Sequence, residues 1–368
     1  MFDFIIGAGQ GGSRIAKEFA NSFECDAAYF NLSNVDFSKF EAPRNRILVL
    51  DEGGTGRNPE FGEGIVKRNF IEVRQFLVGL KRFESAQFIM VCVGGGGGSG
   101  TGFMFPLLDY MLKRKKEILL VYTLPERREG IPAKPNALMS LNRLIESYLQ
   151  RDSNKKVSLL PIDNDFCVKR YGNEIEDDGY NYWRRVNLGL VRALKRFWLM
   201  TNLEKYKNYI DVASGYKGLD RNDVLRIVFS KHGFIDIREM IFEDINADQL
   251  LQRIKSASLV FGSLDIRTTK RYAISVGIPD DWKRKDGVLD FVEQVFDMVS
   301  KSTKHTPDVV RSSYFNKKLS RIHVSLLLAG LSKSHGLEKI VKSAVKDVRK
   351  LRDKGDVEKL DLSDLIIP

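Results

Sequence analysis

The chain has 368 residues, a formal net charge of +11, 43% hydrophobic residues and 29% charged residues. These values are ordinary for a soluble globular protein of two packed domains or one large domain. No apolar run reaches the ~18 residues that a membrane-spanning helix needs, so the sequence excludes an integral membrane protein built from helices.

Nothing at the N-terminus or in the cysteine content indicates export. Residues 1–6 lack the basic region and cleavage site of a signal peptide and lead directly into a glycine motif. The cysteines, Cys25, Cys92 and Cys167, have no metal-ligand spacing, and their odd number argues against a disulfide framework. We therefore predict a cytoplasmic protein without a membrane partner. The net positive charge permits a polyanionic partner, although such an excess more often reflects general surface character.

Strands alternate with helices through the first half of the chain. Short apolar runs predict the strands, and apolar residues at helical spacing predict the helices. The predicted strands are residues 2–6, 27–32, 47–50, 88–93, 118–123 and 157–162, and the predicted helices are residues 15–23, 61–81, 103–113 and 132–150. This order indicates a parallel sheet with both faces covered, which binds ligands at the carboxyl ends of its strands.

Three glycine-rich loops follow strands of this predicted sheet, at residues 7–14, 53–59 and 94–102. The third contains five consecutive glycines, and glycine loses more conformational freedom on folding than any other residue. Such a run indicates a backbone that lies directly against a ligand. A phosphate group fits, because exposed N–H groups and the start of the following helix both favour an anion. A flexible linker is the alternative, but linkers are rarely fused between an apolar strand and an amphipathic helix.

The second half of the chain has a different pattern. Residues 180–209 predict a long helix with much apolar surface, and a break follows at residues 215–223. Beyond it, strands are predicted at residues 235–241, 272–278 and 322–328, and helices at residues 247–256 and 288–300. This mixture indicates an α+β domain. Residues 337–354 predict a basic helix, and the chain continues into an acidic and apolar end.

The glycine loops alone leave more than one class of nucleotide-binding protein open. Gly7, Gly9 and Gly12 have the spacing of a dinucleotide fingerprint. The acidic residue that a dehydrogenase places ~20 positions later would fall near Asn31, with Asp36 beyond it, which is a poor fit. No lysine follows a glycine loop as in a P-loop enzyme. The loops therefore predict phosphate binding by backbone amides and helix ends, with a dinucleotide-dependent oxidoreductase as the alternative from another class.

Several segments resemble the tubulin/FtsZ superfamily in the correct order through residues 1–230. Residues 96–102 are similar to the family's glycine signature, residues 8–12 to its first loop in tubulin-like form, and residues 55–62 to its third nucleotide loop. Residues 124–130 resemble the ribose-contacting loop. The resemblance implies that GTP or GDP binds with Mg²⁺, and it places the nucleotide against Gly9, Gln10, Gly11, Gly12, Gly54, Thr55, Gly56, Gly95, Gly96, Gly97, Gly98, Ser99, Gly100, Thr101, Gly102, Glu129, Asn164 and Asn187.

Four side chains in this set carry specific expectations. Gln10 is expected to orient the metal or the phosphates, and Glu129 to accept a hydrogen bond from a ribose hydroxyl. Asn164 matches the family's polar residue after the next strand. Asn187 matches the position at which the family reads guanine, and its amide can both donate and accept. Outside the family context, Asn187 is equally well explained as a polar residue at the exposed end of a helix.

The resemblance also implies an α/β fold and a domain organisation. A parallel-sheet GTP-binding domain is expected at residues 1–180 and a long central helix at residues 181–212. A smaller α+β activation domain with an acidic catalytic loop is expected at residues 213–335. A C-terminal helix and tail are expected at residues 336–368.

Asp220 and Asp223 are three residues apart at a predicted helix start, which puts both carboxylates on one face. Capping of the helix is the simpler interpretation, because carboxylates interact well with a helix N-terminus. In the family, an acidic pair with this spacing enters the nucleotide site of the next subunit and positions the attacking water. The resemblance therefore implies that Asp220 and Asp223 are catalytic across a subunit interface.

The resemblance implies that the chain polymerises with itself, head to tail, into filaments. Two extra glycines before the signature, Pro132 and Pro135 after the ribose loop, and the C-terminal region together look most like the plasmid- or phage-borne segregation proteins called TubZ. A DNA-bound adaptor is the corresponding partner, contacted through the basic residues Lys339, Lys342, Lys346, Arg349, Lys350 and Arg352. A solvated helix face is the alternative explanation of those residues, and a phage tubulin that positions replicating DNA is the alternative role.

Overall fold

The computed structural model describes residues 2–38, 40–50, 53–130, 132–149, 157–171, 179–202, 207–208, 210–213, 219–229, 233–246, 250–256, 258–259, 264–304 and 308–331. Contacts divide these residues into two compact units, Phe2–Asn187 and Leu188–Ser334. The predicted C-terminal helix and tail at residues 336–368 lie outside the described residues.

The first unit is an α/β layer structure, as predicted. Its strands are β1 (Phe4–Ala8), β2 (Ala27–Asn31), β3 (Ile47–Val49), β4 (Phe88–Gly94), β5 (Glu117–Leu124) and β6 (Val157–Asp163). They pair in the order β3-β2-β1-β4-β5-β6, and every pair is parallel. All eight residues of β5 are buried. Because alternate side chains point to opposite faces, this burial shows that both faces of the sheet are covered.

Helices follow the strands and end close to the predicted positions. They are α1 (Gly9–Phe23), α2 (Asn34–Phe37), α3 (Pro59–Arg68), α4 (Phe70–Gly79), α5 (Lys81–Ser85), α6 (Gly98–Lys113), α7 (Ala133–Leu144) and α8 (Asn164–Tyr171). A π-helical turn, Ile145–Leu149, extends α7.

The prediction of one helix at residues 61–81 is wrong, because α3, α4 and α5 are separate. The first break is at Asn69, whose side-chain amide donates to the carbonyl of Ile65 (3.1 Å). This bond competes with the backbone ladder at the end of α3. The second break is at Leu80, whose backbone is extended.

Helix α9 (Gly179–Met200) is also shorter than the predicted helix at residues 181–212. Its end coincides with Thr201 and Asn202, whose side chains donate to the carbonyl of Trp198 (2.9 and 3.3 Å). Strand β7 (Ile210–Val212) occupies the last part of the stretch predicted as helix. Among the described helices, none combines the length and the apolar character needed to cross a membrane.

The second unit is α+β, as predicted. It contains β7, α10 (Arg221–Phe229), β8 (Gly233–Phe242), α11 (Leu250–Ser256), β9 (Arg271–Pro279), α12 (Val288–Ser302), β10 (Asp308–Asn316) and β11 (Ile322–Leu331). The strand order β8-β11-β9-β10-β7 is antiparallel except for the β9–β10 pair. Strand β10 was not predicted.

A fully buried ion pair lies in the second unit. Arg238 and Asp236, both on β8, are 1% and 0% exposed, with Nε and Oδ2 2.8 Å apart. The remaining guanidinium nitrogens donate to the backbone carbonyls of Ile254 (2.6 Å) and Leu264 (3.0 Å). The hydroxyl of Ser258 donates to Asp236 Oδ1 (2.7 Å). This arrangement ties β8 to the segment that follows α11, and every charged atom has a partner.

Replacing Arg238 by methionine is expected to destabilise the protein by ~3–5 kcal/mol, because it leaves the Asp236 carboxylate buried without its counter-charge. Urea unfolding of the two proteins measures the difference. The matched control is Arg267→Met, which breaks the pair with Asp265 at a guanidinium that is 65% exposed and is expected to cost below ~1 kcal/mol. Equal losses in the two variants would contradict the structural role of the buried pair.

Candidate nucleotide-binding site

A cavity of about 600 Å³ opens at the carboxyl ends of the parallel strands in the first unit. This is the edge at which α/β sheets bind ligands. All three glycine-rich loops line it. The predicted residues that line it are Gly9, Gln10, Gly11, Gly54, Thr55, Gly56, Gly95, Gly96, Gly97, Gly98, Ser99, Gly100, Glu129, Asn164 and Asn187.

Two helices begin at this cavity without a side-chain cap. Helix α6 starts at Gly98 after the glycine run, and neither its N-cap residue Gly97 nor Ala8, the N-cap of α1, makes a side-chain capping bond. The first N–H groups of a helix have no partner within the helix and carry the positive end of its dipole. Two such ends at one cavity form a site for an anion with several oxygens, such as a polyphosphate.

Gly97 and Gly11 are placed to let a ligand reach the backbone. A Cβ built on either residue would meet no heavy atom of the described part of the chain within 4 Å. Gly97 has φ −103° and ψ 155°, an extended conformation open to any residue. The fold itself therefore does not require glycine at position 97. The absence of a side chain there leaves open space in the cavity.

Three predicted contact residues do not line the cavity, so their assignment is corrected. A Cβ on Gly12 would collide with the carbonyl of Cys92 on β4, and one on Gly102 would lie 2.6 Å from the carbonyl carbon of Gly62 on α3. These glycines allow close packing of α1 on β4 and of α6 on α3. Thr101 is 1% exposed, and its hydroxyl donates to the carbonyl of Gly97. Thr101 therefore stabilises the glycine loop through this hydrogen bond and does not face the cavity.

The loop at residues 53–58 is held against the glycine run. A Cβ on Gly98 would collide with the side chain of Thr55. At the end of the loop, the Asn58 side chain accepts from the N–H of Phe61 (3.0 Å) and caps α3. The amide of Asn136, on α7, donates to the carbonyl of Arg57 (2.6 Å). The loop is thus anchored to α3, α6 and α7.

Polar side chains occupy the part of the cavity that follows β5 and β6. Glu129 Oε1 accepts from the N–H of Glu126 (2.9 Å) and from the amide of Asn164 (3.3 Å). Asn164 is 8% exposed, and its Oδ1 is buried without a hydrogen-bond partner among the residues that the structure describes. Because buried polar atoms are nearly always paired, this oxygen indicates a place for a donor from a ligand.

This part of the cavity is acidic. Burial raises the pKa of Glu126, and the nearby carboxylates of Asp165 and Glu129 raise it further, against the opposing charge of Arg128. Burial also raises the pKa of Asp163, the last residue of β6. Lys134 lies beside them and pairs with Asp165 (Nζ to Oδ2, 3.1 Å). The carboxylates suit hydroxyl or amino groups of a ligand and would repel its phosphates.

Another part of the cavity wall is formed by Gln10, Asp36 and Asn187. The Gln10 amide donates to the carbonyl of Asp36 (3.4 Å), and the amide of Asn31, at the end of β2, donates to the Asp36 carboxylate (3.4 Å). Asn187, on α9, is 6% exposed. Its burial in the lining argues against the alternative of a polar residue at an exposed helix end.

Sequence reasoning assigned no role to several residues that line the cavity. Glu126 and Pro125 lie in the segment identified as the ribose loop, and Arg57 and Arg14 lie in the glycine-rich loops at residues 53–59 and 7–14, so their place in the chain was the available signal. Ser33 and Thr123 gave no such signal. The unassigned lining residues are Arg14, Ile15, Ser33, Asp36, Arg57, Gly94, Thr123, Pro125, Glu126 and Ile162.

Asp220 and Asp223 lie in the second unit, at the start of α10. Asp220 is exposed, and its Oδ1 accepts from the N–H of Asn222 and from that of Asp223 (3.1 Å). Asp220 is therefore the N-cap of α10, as the simpler interpretation predicted. Asp223 is the third residue of the helix and half-buried. Their action on a neighbouring subunit stays a prediction.

The part of the chain that the structure describes contains no group of three His, Cys, Asp or Glu side chains that could hold a metal ion. Mg²⁺ usually keeps several waters and is bound by one or two carboxylates together with the phosphates of a substrate. A dedicated protein cage for it is therefore not needed, and Mg²⁺ stays a prediction.

Comparison with known proteins defines the class to which this site belongs. Residues 4–154 match the model of the Tubulin/FtsZ family, GTPase domain. This stretch contains all three glycine loops and the predicted ribose loop. Residues 4–154 are thus a GTPase domain of the tubulin/FtsZ kind, which contradicts the alternative of a dinucleotide-dependent oxidoreductase.

Individual relatives extend the similarity to most of the chain. Tubulin-like protein CetZ from Pyrococcus horikoshii is 25% identical over 97% of this chain and 94% of its own length. Tubulin-like protein TubZ from Bacillus cereus is 31% identical, over 36% of this chain and 33% of its own. The GTPγS-form protofilament of TubZ from Bacillus thuringiensis serovar israelensis superposes with a TM-score of 0.78 at 16% identity, over 97% of this chain and 95% of that one. The structural similarity thus covers 97% of this chain, and the sequence similarity is not confined to TubZ.

Proposed function

We propose that the cavity of the first unit is the GTP and GDP site of this GTPase. The observation that carries the proposal is the meeting of two uncapped helix N-termini and three glycine loops at one cavity. The phosphates lie against Gly97, Gly11 and the first N–H groups of α6 and α1. Glu129 accepts from a ribose hydroxyl.

The side-chain amides of Asn164 and Asn187 bind the guanine base. Guanine presents an N–H and an amino group as donors and a carbonyl as acceptor. The unpaired Oδ1 of Asn164 supplies an acceptor, and the amide of Asn187 supplies both functions. Adenine carries an amino group where guanine has its carbonyl, so the same amides are expected to discriminate against ATP.

The assembled form is a head-to-tail filament in which the second unit of one subunit completes the nucleotide site of the next. Support comes from the similarity of the fold to protofilaments of TubZ and of CetZ2 from Haloferax volcanii. Asp220 and Asp223 are the carboxylates assigned to the attacking water. A heterologous contact of this kind does not close and generates filaments.

In the cell, the proposed role is segregation of plasmid or phage DNA by cytoplasmic filaments, with a DNA-bound adaptor at the C-terminal region. The partial sequence similarity to TubZ and the basic residues at 339–352 support this role. Similarity to tubulin-like protein CetZ over 97% of the chain favours a tubulin-like filament protein outside the TubZ group as the second candidate.

Purified protein is expected to form filaments with GTP, because GTP fills the site that contributes to the subunit interface, and to form none with ATP. Right-angle light scattering during addition of each nucleotide, followed by negative-stain microscopy, measures the result. GDP serves as the control for nucleotide binding without hydrolysis. Scattering that rises equally with ATP, or that does not rise with GTP at any protein concentration, would contradict the proposal.

A further inference from the structure

One face of helix α4 is exposed although it carries aliphatic side chains. Ile71 and Val78, seven residues apart, are 73% and 44% exposed, whereas Val73 and Leu77 are fully buried. Residues at this spacing lie on one side of a helix. Helix α4 is therefore fixed to the core of the first unit by one face and presents apolar groups to solvent on another. Two aliphatic side chains exposed along one helix face are typical of a surface that another segment covers.

Basic residues surround these two aliphatic side chains. Arg74 lies between Ile71 and Val78 on the same face, and further exposed cations precede and follow α4 in the chain. Glu72 is the one carboxylate within α4. We call this surface the basic stripe, and its residues are Lys67, Arg68, Ile71, Arg74, Gln75, Val78, Lys81 and Arg82.

Most of the positive charge on the basic stripe has no counter-charge. Lys67 and Arg82 form ion pairs with carboxylates of the first unit. Arg68, Arg74 and Lys81 form no ion pair with any residue that the structure describes. The basic stripe thus combines uncompensated positive charge with exposed apolar surface. Its complement is a segment that is both acidic and apolar.

The chain contains such a segment beyond the described residues. Residues 356–368 carry four carboxylates, one lysine and six aliphatic side chains, in a chain whose net charge is +11. The connection from Leu331, at the end of β11, includes the predicted helix at residues 337–354 and spans ~45 Å. This length is similar to the ~40 Å diameter of a compact domain of ~190 residues. The connection is therefore long enough for the segment to reach a distant surface of its own chain.

We propose that residues 356–368 dock on the basic stripe of the same chain. The aliphatic side chains of the segment cover Ile71 and Val78, and its carboxylates pair with the cations that have no counter-charge. Because the segment is tethered, its effective concentration is on the order of 1 mM. A contact too weak to hold two separate molecules together is then formed within one chain. A partner that binds residues 356–368 uncovers the basic stripe.

Two other occupants fit the basic stripe less well. A second copy placed symmetrically on this face would bring like charges together, which is unfavourable. An anionic membrane would match the charge, but a helix that lies on a membrane needs a broad apolar face. The basic stripe offers two aliphatic side chains and no aromatic one. An acidic and apolar segment of protein satisfies both the charge and the small apolar area.

Disulfide trapping in the full-length protein without GTP tests the docking. Gln75→Cys places a thiol on the basic stripe, Ser363→Cys places one in the segment, and Cys25→Ser removes the native thiol that is not fully buried. The matched control combines Ser363→Cys with Asp290→Cys, at an exposed position of the second unit. We expect the intrachain disulfide between positions 75 and 363 to form about tenfold faster than that between positions 290 and 363. We also expect it to form severalfold more slowly in ~1 M than in ~0.05 M NaCl.

Charge reversal tests whether the basic stripe attracts the segment through its cations. Arg74→Glu combined with Lys81→Glu is expected to slow the reaction between positions 75 and 363 to the rate of the control pair. Adding Asp361→Lys and Asp364→Lys to this variant is expected to restore most of the rate, because opposite charges face each other again. Mass spectrometry of the proteolysed protein identifies the linked peptides and gives the rates.

The control for net charge is Lys113→Glu combined with Lys301→Glu, two exposed positions outside the basic stripe, and it is expected to leave the rate unchanged. Equal rates for the two cysteine pairs, or equal slowing by this control, overturn the docking. Disulfide dimers as the main product of Gln75→Cys would assign the basic stripe to a second copy and also overturn it. So would sedimentation of the wild type with phosphatidylserine vesicles that is lost in the Arg74→Glu, Lys81→Glu variant.

Discussion

Replacing Gly97 by valine is expected to abolish nucleotide binding and leave the fold intact. The new side chain enters the open space of the cavity, where no atom of a described residue lies within 4 Å of its Cβ. The extended backbone at Gly97 accepts valine without strain. Affinity for GTP is expected to fall by about 100-fold or more, equivalent to ~2.7 kcal/mol. Equilibrium binding and thermal unfolding of the same preparation measure the two effects.

Two other glycines provide the controls for this variant. Gly79→Val adds a side chain to open space outside the cavity and is expected to change neither GTP affinity nor assembly. Gly12→Ala drives a methyl group into the backbone of β4 and is expected to lower stability by ~1–3 kcal/mol even without nucleotide. Normal GTP binding by Gly97→Val would show that the phosphates lie elsewhere.

Removing the charge of Asp223 or Asp220 is expected to separate GTP binding from GTP hydrolysis. Asp223→Asn and Asp220→Asn keep the shape of each side chain, and asparagine caps a helix about as well as aspartate. Each monomer is expected to bind GTP normally. In filaments, loss of a group that positions or activates water is expected to slow hydrolysis ~10²–10⁴-fold. Phosphate release per polymerised subunit gives the rate.

Asp290→Asn is the matched control for the helix contribution. Asp290 is exposed and, like Asp223, is the third residue of its helix, so it reproduces any effect on the helix dipole. If hydrolysis in the Asp220 and Asp223 variants stays at the wild-type rate, both residues only stabilise the start of α10 and take no part in hydrolysis. The polymerisation proposal would then stand without the shared active site.

Mixing two variants that are each inactive tests whether Asp223 acts on the GTP of a neighbouring subunit. Gly97→Val subunits keep Asp223 but cannot hold GTP, whereas Asp223→Asn subunits hold GTP but lack the carboxylate. In mixed filaments an intact Asp223 faces a bound GTP across some interfaces. Part of the hydrolysis is therefore expected to return on mixing, and its absence in filaments shown to contain both variants would contradict action in trans.

The sequence predicted the elements of the fold where burial follows a simple pattern. The apolar run at residues 88–93 became β4, and the alternation of strands and helices correctly indicated a parallel sheet. Strand β10 was missed because its interior carries Ser312 and Ser313, both 0% exposed, which give no apolar signal. Asn69, Thr201 and Asn202 ended helices early through side-chain hydrogen bonds that a periodicity argument does not register.

The candidate site was predictable in its loops but not residue by residue. Gly97 and Gly102 belong to one glycine signature, yet the first faces an open cavity and the second packs against Gly62 on α3. Only the packing of neighbouring elements separates these two uses of glycine. Arg57 also lines the cavity, and its backbone is left-handed (φ 64°), a conformation that the sequence does not predict for an arginine.

Binding of guanine nucleotide to the unassembled wild-type protein tests the central claim most directly. Isothermal titration below the assembly concentration is predicted to show one GTP or GDP per chain, unaffected by an excess of ATP or NAD and absent in Gly97→Val. Equal competition by ATP or NAD, or full binding by Gly97→Val, would contradict the assignment of this cavity as the guanine nucleotide site.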